Sequence, residues 1–214
     1  MSFTVYNWTP ILIPLVIGAC RYSSLDRPAR ILFYFVVYGT TNELLGFVLR
    51  FIVRVHNTMP LSNLYFMSEF LLLGLLYREL LKDRYPSSAF IGIILLFELA
   101  SIVNLLFFQS LYEYPSLLQT ISKIFLIGFS LLYFYKIMDE AKIENLWKEP
   151  TVFVNVAVLV YYSGNLFFSL LFNVILEYSR AFSKMTVVYY SILNALFYFL
   201  IAYSFMLAGK NRKH

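Results

Sequence analysis

The sequence predicts an all-helical membrane protein, a bundle of seven transmembrane helices with its N-terminus outside and its C-terminus in the cytoplasm. The chain of 214 residues is 60% hydrophobic and 14% charged, whereas a soluble domain carries about 25% charged residues. Its mean hydropathy is +0.71. Long apolar runs recur along the chain, and short polar segments separate them. These observations favour lipid over water as the main solvent.

Seven apolar runs are long enough to cross a bilayer, which takes about 20 helical residues. The predicted spans lie near residues 3–22, 31–53, 61–81, 89–109, 116–137, 151–175 and 185–208. With short loops they use nearly the whole chain, so we expect a single transmembrane domain over residues 1–214.

Proline marks the beginning of most of these helices. Five prolines lie at or just before a predicted span: Pro28, Pro60, Pro86, Pro115 and Pro150. Proline is tolerated in a first helical turn because its missing N–H would have had no intrahelical partner there. In the first span, Pro10 and Pro14 each remove a backbone hydrogen bond, so a kink is expected.

The orientation follows from the basic residues, which are retained on the cytoplasmic side of short loops. The first, third and fifth loops and the C-terminal tail together hold twelve Lys and Arg, and the opposite side holds four. The predicted location is a plasma membrane, the inner membrane of a bacterium. The basic excess indicates topology and attraction to anionic lipid headgroups, so we expect the bilayer as a partner and no nucleic acid.

Four ionisable side chains lie deep inside predicted spans: Glu43, Glu69, Glu98 and Lys123. At about 1.5 Å per residue, each is roughly 10 to 17 Å from the outer end of its helix. Charges at this depth are costly and usually face the bundle interior, where they mark functional sites.

Helical spacing adds polar neighbours to these charges, because residues three or four apart share a face. Tyr65 lies one turn before Glu69, span 6 carries Asn165, and span 7 carries Asn194. The predicted ligand-binding set is Glu43, Tyr65, Glu69, Glu98, Lys123, Asn165 and Asn194. The alternative is that such groups only join helices, at roughly 0.6 kcal/mol per hydrogen bond.

Charge counting refines this prediction. Glu69 and Lys123 lie at matching depth and are expected to form an ion pair or to share one ligand. Three glutamates face one lysine, and loss of hydration disfavours an ionised carboxylate that has no partner. At least one glutamate, Glu43 or Glu98 in preference, is therefore expected to be protonated at neutral pH or to hold a cation.

Several kinds of chemistry have no support in the sequence. Cys20 is the only cysteine, and His56 and His214 are the only histidines and lie outside the spans. A thiolate or buried histidine metal site is not expected. No GxSxG, P-loop, GxGxxG or HExxH pattern occurs. We expect no catalytic residue, metal or cofactor, and the balance is against an enzyme.

Two known classes of seven-helix membrane protein can be compared with this sequence. The last span has no lysine for the Schiff base of a rhodopsin, and the chain has no Pro-Gln pair of the PQ-loop group. An internal repeat is present, since Val37-Tyr38 with Asn42 matches Val160-Tyr161 with Asn165. Such a repeat suits a 3+1+3 transporter, in which a linker helix joins two three-helix units.

The segments VLVYYSGNLFFSLLFN and NALFYFLIAYSFMLAGKNRK of spans 6 and 7 resemble uncharacterised multi-pass membrane proteins of the Bacteroidota. Similar helices in that group stand before a histidine kinase. The resemblance implies a membrane sensory module, and the short tail after span 7 then implies a separate cytoplasmic signalling partner.

Three functions stay open at this point. The first is a receptor-like sensory or regulatory module that binds a small ligand or a proton in the outer half of the bundle. The second is a small-solute or proton-coupled transporter of the 3+1+3 type, and the third is a membrane-embedded lipid enzyme. A pocket that opens to one side only favours sensing, whereas access from both sides in turn favours transport.

Overall fold

The structure, a computed structural model, describes the backbone of residues 9–140, 145–178 and 180–208, and the side chains of these ranges except 167–187. These residues form seven α-helices, namely α1 (Thr9–Cys20), α2 (Arg27–Phe47), α3 (Met59–Leu81), α4 (Ser87–Val103), α5 (Ser116–Glu140), α6 (Pro150–Tyr178) and α7 (Arg180–Ala208). Short π-helical segments prolong α2 over Val48–Val53 and α4 over Asn104–Phe108. The prediction of an all-helical chain is confirmed for this part. The predicted start at residue 3 and the basic tail at 210–213 lie outside it.

Five helical stretches are long and apolar enough to cross a membrane: Arg27–Val53, Met59–Leu81, Ser87–Phe108, Ser116–Glu140 and Val188–Ala208. α1 is apolar but has 12 residues, fewer than the roughly 20 that a helix needs to cross the hydrocarbon core. The side chains of α6 are described over 150–166 only. These helices are compatible with an integral membrane protein, and the count of seven spans stays a prediction.

The helices begin where proline and capping residues place them. The Asp26 side chain accepts a hydrogen bond of 3.1 Å from the backbone N–H of Ala29, and Pro28 lies in the first turn of α2. Pro60 lies in the first turn of α3, and Pro150 is the first residue of α6. The N–H groups of a first helical turn have no acceptor within the helix. A side chain such as Asp26 can therefore accept a hydrogen bond from one of them, and a proline there removes no intrahelical hydrogen bond.

Six of the helices pack as a ring in the order α1, α2, α3, α5, α6, α7, and α7 closes the ring on α1. α4 packs on the outside of α3. It approaches closely because Gly74 of α3 faces Ile94 of α4, where a Cβ would lie 2.8 Å from the isoleucine side chain. α4 is therefore the peripheral helix of the bundle.

The outer surface of the bundle is apolar. On α4 the exposed residues include Leu95, Leu96, Leu99, Phe107 and Phe108, and Phe108 is 81% exposed. A soluble monomer rarely shows so many contiguous apolar side chains to water. Lipid tails would cover such a surface at no cost, which agrees with a membrane location.

The two ends of the bundle differ in charge. The ion pairs between described side chains all lie at the end that carries the α1–α2, α3–α4 and α5–α6 connections, called here the ion-paired end. There Glu79 pairs with Lys82 at 2.7 Å and with Arg27 at 3.5 Å. The opposite end, called the far end, carries the α2–α3 and α4–α5 connections. Asn57 joins them by donating to the Tyr112 carbonyl at 3.0 Å.

Candidate ligand-binding site

A cavity of about 240 Å³ lies between α2, α3, α6 and α7, in the half of the bundle nearer the far end. Glu69 lies roughly 15 Å along α3 from its first residue, at about 1.5 Å per residue, so the cavity reaches the middle of the bundle. The described residues that line it are Gly39, Asn42, Glu43, Ser62, Tyr65, Phe66, Glu69, Tyr161, Asn194, Phe197 and Tyr198.

One face of α3 supplies the best-anchored carboxylate of this cavity. Ser62, Tyr65 and Glu69 follow one another at intervals of three and four residues, which places them on one side of the helix. Glu69 Oε1 accepts a hydrogen bond of 2.8 Å from the Tyr162 hydroxyl. Tyr162 is 1% exposed, so this bond fixes the carboxylate from the α6 side. The charge of Glu69 also interacts with the Tyr65 hydroxyl.

Lys123 of α5 is the basic group whose charge acts on Glu69. Its side chain is buried, and its charge and that of Glu69 act on each other. Lys123 favours the ionised form of the Glu69 carboxylate by its charge, and it does not lie in the cavity lining.

Gly39 widens the cavity on the α2 side. The hydroxyls of Tyr65 and Tyr198 each lie 3.7 Å from the position that a Cβ at residue 39 would occupy, and Ile11 Cδ1 lies 3.0 Å from it. Two phenol groups from different helices thus converge on bare backbone. A branched side chain at this position would enter the cavity or displace Ile11.

Asn42 and Glu43 supply hydrogen-bond acceptors that no described side chain uses. Asn42 Oδ1 is buried without a hydrogen-bond partner. Glu43 is the exposed member of the described lining. Its charged neighbour is Arg50, which acts on it through space, while Arg50 Nε donates to the Gly46 carbonyl at 3.1 Å. The carboxylate of Glu43 consequently keeps its accepting capacity free for a ligand.

Aromatic rings form the remaining wall. The Tyr161 and Phe197 rings are 4.6 Å apart between centroids, and Phe197 and Tyr198 are 5.3 Å apart. Tyr65 stacks on Tyr38 at 6.0 Å with an interplanar angle of 3°. Such ring contacts hold the aromatic side chains in place and stabilise them by about 0.5 to 1.5 kcal/mol each beyond their burial.

A buried polar seam lies between the cavity and the ion-paired end. The Tyr77 hydroxyl donates to Asn155 Oδ1 at 2.8 Å, and Asn155 Nδ2 donates to the Ser130 carbonyl at 3.0 Å. The Ser130 hydroxyl donates back to the Asn155 carbonyl at 3.2 Å. All three side chains are fully buried. The seam joins α3, α5 and α6 and leaves none of its side chains facing open space.

Apolar side chains complete this closed layer. They come from α2, α3, α5 and α7 and are at most 4% exposed: Leu32, Phe35, Val36, Leu73, Leu76, Phe129, Ile201 and Phe205. Together with the seam they occupy the half of the bundle nearer the ion-paired end. The described cavity therefore stops at mid-depth.

A second recess of about 270 Å³ lies at the ion-paired end, between α2, α3 and α5. Lys136 lies in its lining and pairs with Asp83 at 3.5 Å, and Glu79 is held by two basic side chains. Its charges are thus largely satisfied within the protein. We regard it as part of a solvated helix end and place the candidate site in the cavity of the far half.

Four of the predicted site residues line one cavity: Glu43, Tyr65, Glu69 and Asn194. Asn165 lies next to it, since its Nδ2 donates to the Tyr161 carbonyl at 2.8 Å within α6. The structure brings these residues together from four separate helices. Whether they bind a ligand stays a prediction.

Two further predicted residues, Lys123 and Glu98, do not line this cavity, and Glu98 is the more distant from it in the fold. It lies on α4, outside the six-helix ring, and its neighbour Ser101 turns inward and donates to the Phe97 carbonyl at 2.8 Å. Glu98 Oε1 is buried without a hydrogen-bond partner. Equal depth along different helices does not imply a common site, because packing decides which helices meet.

Seven lining residues were missing from the predicted set: Gly39, Asn42, Ser62, Phe66, Tyr161, Phe197 and Tyr198. Asn42 and Tyr161 belong to the internal repeat, which was the signal that could have selected them. Phe197 carried no signal, because one phenylalanine among 22 is not distinguishable by spacing from a lipid-facing ring.

The arrangement suits reversible binding. Within the described residues no three His, Cys, Asp or Glu side chains come together as a possible metal-binding group. The cavity offers two carboxylates, amide and phenol oxygens, and aromatic faces. These groups bind by charge, hydrogen bonding and ring contacts.

Comparison of the chain with known protein families, with curated proteins and with solved structures finds no match. The similarity of spans 6 and 7 to membrane proteins of the Bacteroidota therefore stays a resemblance.

Proposed function

We propose that the protein is a receptor-like sensory or regulatory membrane module of seven spans that binds a small ligand or a proton in the outer half of its bundle. The observation that carries the proposal is a cavity that ends at mid-depth. Polar groups of four helices line the half nearer the far end, and the seam of Tyr77, Asn155 and Ser130 closes the other half. A site closed toward one side agrees with sensing, whereas a transporter needs access from both sides in turn.

The distribution of basic residues supports the orientation in this proposal. The ion-paired end carries the loops that hold most of the Lys and Arg, and such loops stay in the cytoplasm. The far end, and with it the cavity, would then face the outside of a bacterial inner membrane. Ligand binding between α2, α3, α6 and α7 would shift their packing, and a separate cytoplasmic partner would read the shift at the ion-paired end.

A small-solute or proton-coupled transporter is the second candidate, and two observations favour it. α4 lies outside the ring, as a linker helix between two three-helix units would. Asn42, from one copy of the internal repeat, and Tyr161, from the other copy, both line the cavity. Against it stands the closed layer, which a transporter would have to open in a second state.

Cysteine labelling of vesicles separates the two functions. Cys20 is replaced by serine, and single cysteines are introduced at Ser62 in the cavity, at Asn57 in the α2–α3 connection and at Ser88, which is exposed at the start of α4. A membrane-impermeant thiol reagent is applied from either side. We expect Ser62→Cys and Asn57→Cys to react from outside only, and Ser88→Cys from inside only.

Two results would contradict the proposal. Labelling of Ser62→Cys from both sides would show alternating access and favour the transporter. Labelling of Asn57→Cys from inside would reverse the orientation, whatever the cavity binds.

A further inference from the structure

The ionisable groups of the cavity are of one sign. Its ionisable lining groups, Glu43 and Glu69, are both acidic, and no Lys, Arg or His belongs to the described lining. The basic groups whose charges act on these two carboxylates, Lys123 and Arg50, lie outside that lining. A molecule in the described cavity therefore meets acidic side chains and no basic one.

Several of these acceptors are open to a ligand. An ionised carboxylate has about four acceptor sites. On Glu69 the Tyr162 hydroxyl takes one of them at 2.8 Å, and the Tyr65 hydroxyl also interacts with this carboxylate. Glu43 accepts no hydrogen bond from a described side chain, and Asn42 Oδ1 is buried without a partner. A buried acceptor left without a donor costs about 1 to 3 kcal/mol. A ligand with several N–H donors would remove that cost.

The aromatic rings restrict the ligand further. Tyr65, Tyr161, Phe197 and Tyr198 stand around the same space, and ring faces attract cations as well as apolar groups. A cavity of about 150 Å³ holds benzene, so the present 240 Å³ suits on the order of ten non-hydrogen atoms. The lining thus matches a small molecule with a cationic head and an apolar body.

We propose that this cavity binds a small organic amine, with its primary ammonium group between Glu43, Asn42 and Glu69 and its apolar part against the aromatic wall. The inference rests on the proposed function and names the class of ligand. A carboxylate ligand would face two acidic side chains. A quaternary ammonium ion has charge but no N–H, and it would leave Asn42 Oδ1 and the carboxylates without donors.

Calorimetric titration of the full chain in detergent micelles tests the class of ligand. The probe is 2-phenylethylammonium, which is charged at neutral pH. Its comparators are neutral 2-phenylethanol, anionic 3-phenylpropanoate and the N,N,N-trimethyl derivative of the probe. We expect the primary ammonium ion to bind at least tenfold more tightly than each comparator.

Three variants assign binding to this cavity. Glu43→Gln, at an exposed position that does not threaten folding, should weaken binding of the probe at least tenfold. Gly39→Val should abolish binding because its side chain enters the cavity, and thermal unfolding checks that this variant folds. Glu98→Gln is the matched control, since it removes a membrane-depth carboxylate outside the lining, and its affinity should stay within twofold of the unchanged protein.

The outcomes separate this inference from the function on which it rests. If 2-phenylethanol bound as tightly as the ammonium ion, or if Glu43→Gln left the affinity unchanged, the amine would be the wrong ligand. If only 3-phenylpropanoate bound and Gly39→Val abolished its binding, the cavity would remain a ligand site of another class. If no probe bound while Ser62→Cys still reacted from outside only, the amine inference alone would fail. Labelling from both sides would overturn the sensory function itself.

Discussion

Replacing Asn155 with leucine tests the seam that closes one half of the bundle. Leucine has a branched shape similar to that of asparagine, with the same number of non-hydrogen atoms, but it is bulkier and neither donates nor accepts hydrogen bonds. The change would remove the acceptor of the Tyr77 hydroxyl at 2.8 Å and the donor to the Ser130 carbonyl at 3.0 Å. Because both partners are fully buried, water cannot replace the lost bonds.

The expected loss of stability follows from these two bonds. A side-chain hydrogen bond between membrane helices contributes about 0.6 kcal/mol on average and about 1.7 kcal/mol at most. Leaving a buried hydroxyl without a partner adds a desolvation cost of about 1 to 3 kcal/mol. We therefore expect Asn155→Leu to lower the free energy of unfolding by about 1 to 4 kcal/mol, and Tyr77→Phe by about 0.6 to 2 kcal/mol.

Unfolding of the purified protein by titration with a denaturing detergent, followed by circular dichroism, measures these losses. Tyr203→Phe is the matched control for Tyr77→Phe, because Tyr203 is 44% exposed and keeps its ring contact with Phe153 after the change. The double variant of Tyr77 and Asn155 should cost less than the sum of the single variants, since both remove one shared bond. If Tyr77→Phe cost no more than Tyr203→Phe, or if the two changes were additive, the seam would not exist as described.

Two further predictions concern helix packing. Lys123→Met alone should destabilise the protein more than Lys123→Met together with Glu69→Gln. The single change leaves a buried carboxylate without its countercharge. Additive effects in a double-mutant cycle would refute the coupling. Gly74→Ala should cost about 1 to 3 kcal/mol, since its Cβ would lie 2.8 Å from the side chain of α4 that it faces. Gly92→Ala meets nothing within 4 Å and should leave stability unchanged or raise it by up to about 1 kcal/mol, because alanine is the better helix former. Equal costs at both glycines in the same unfolding assay would contradict the close approach of α4.

The predicted helices agree with the structure because their signals are local. Hydropathy over about 20 residues and proline in the first turn both act along one helix. The first predicted span begins at residue 3, whereas α1 begins at Thr9, because residues 1–8 lie outside the described part. The α1 helix continues through Pro14, and the kink expected at that residue stays a prediction.

The site could be predicted in part, for reasons that Glu69 and Glu98 illustrate. Both carboxylates lie at similar depth on apolar helices, and both looked equally functional by that criterion. Glu69 lies on α3 within the ring and receives the Tyr162 hydroxyl of α6. Glu98 lies on α4, which packs outside the ring. The stretch that contains α4 is the most apolar of the five helical stretches of membrane length, which favours contact with lipid, but apolar character does not decide which helices meet around a cavity.

The sequence by itself determined properties that single helices carry. These are an all-helical fold, apolar segments of membrane length, the residues at which helices begin, and the excess of basic residues at one end. Each depends on residues within a few turns of one another, and backbone hydrogen bonds in lipid must be satisfied inside each helix. Only the tertiary structure decided that α2, α3, α6 and α7 enclose a cavity, that α4 stays outside, and that Tyr77, Asn155 and Ser130 close the other half. These contacts join residues far apart in the chain, and their geometry depends on positions such as Gly39 and Gly74, where the absence of a side chain lets neighbouring groups approach the helix backbone.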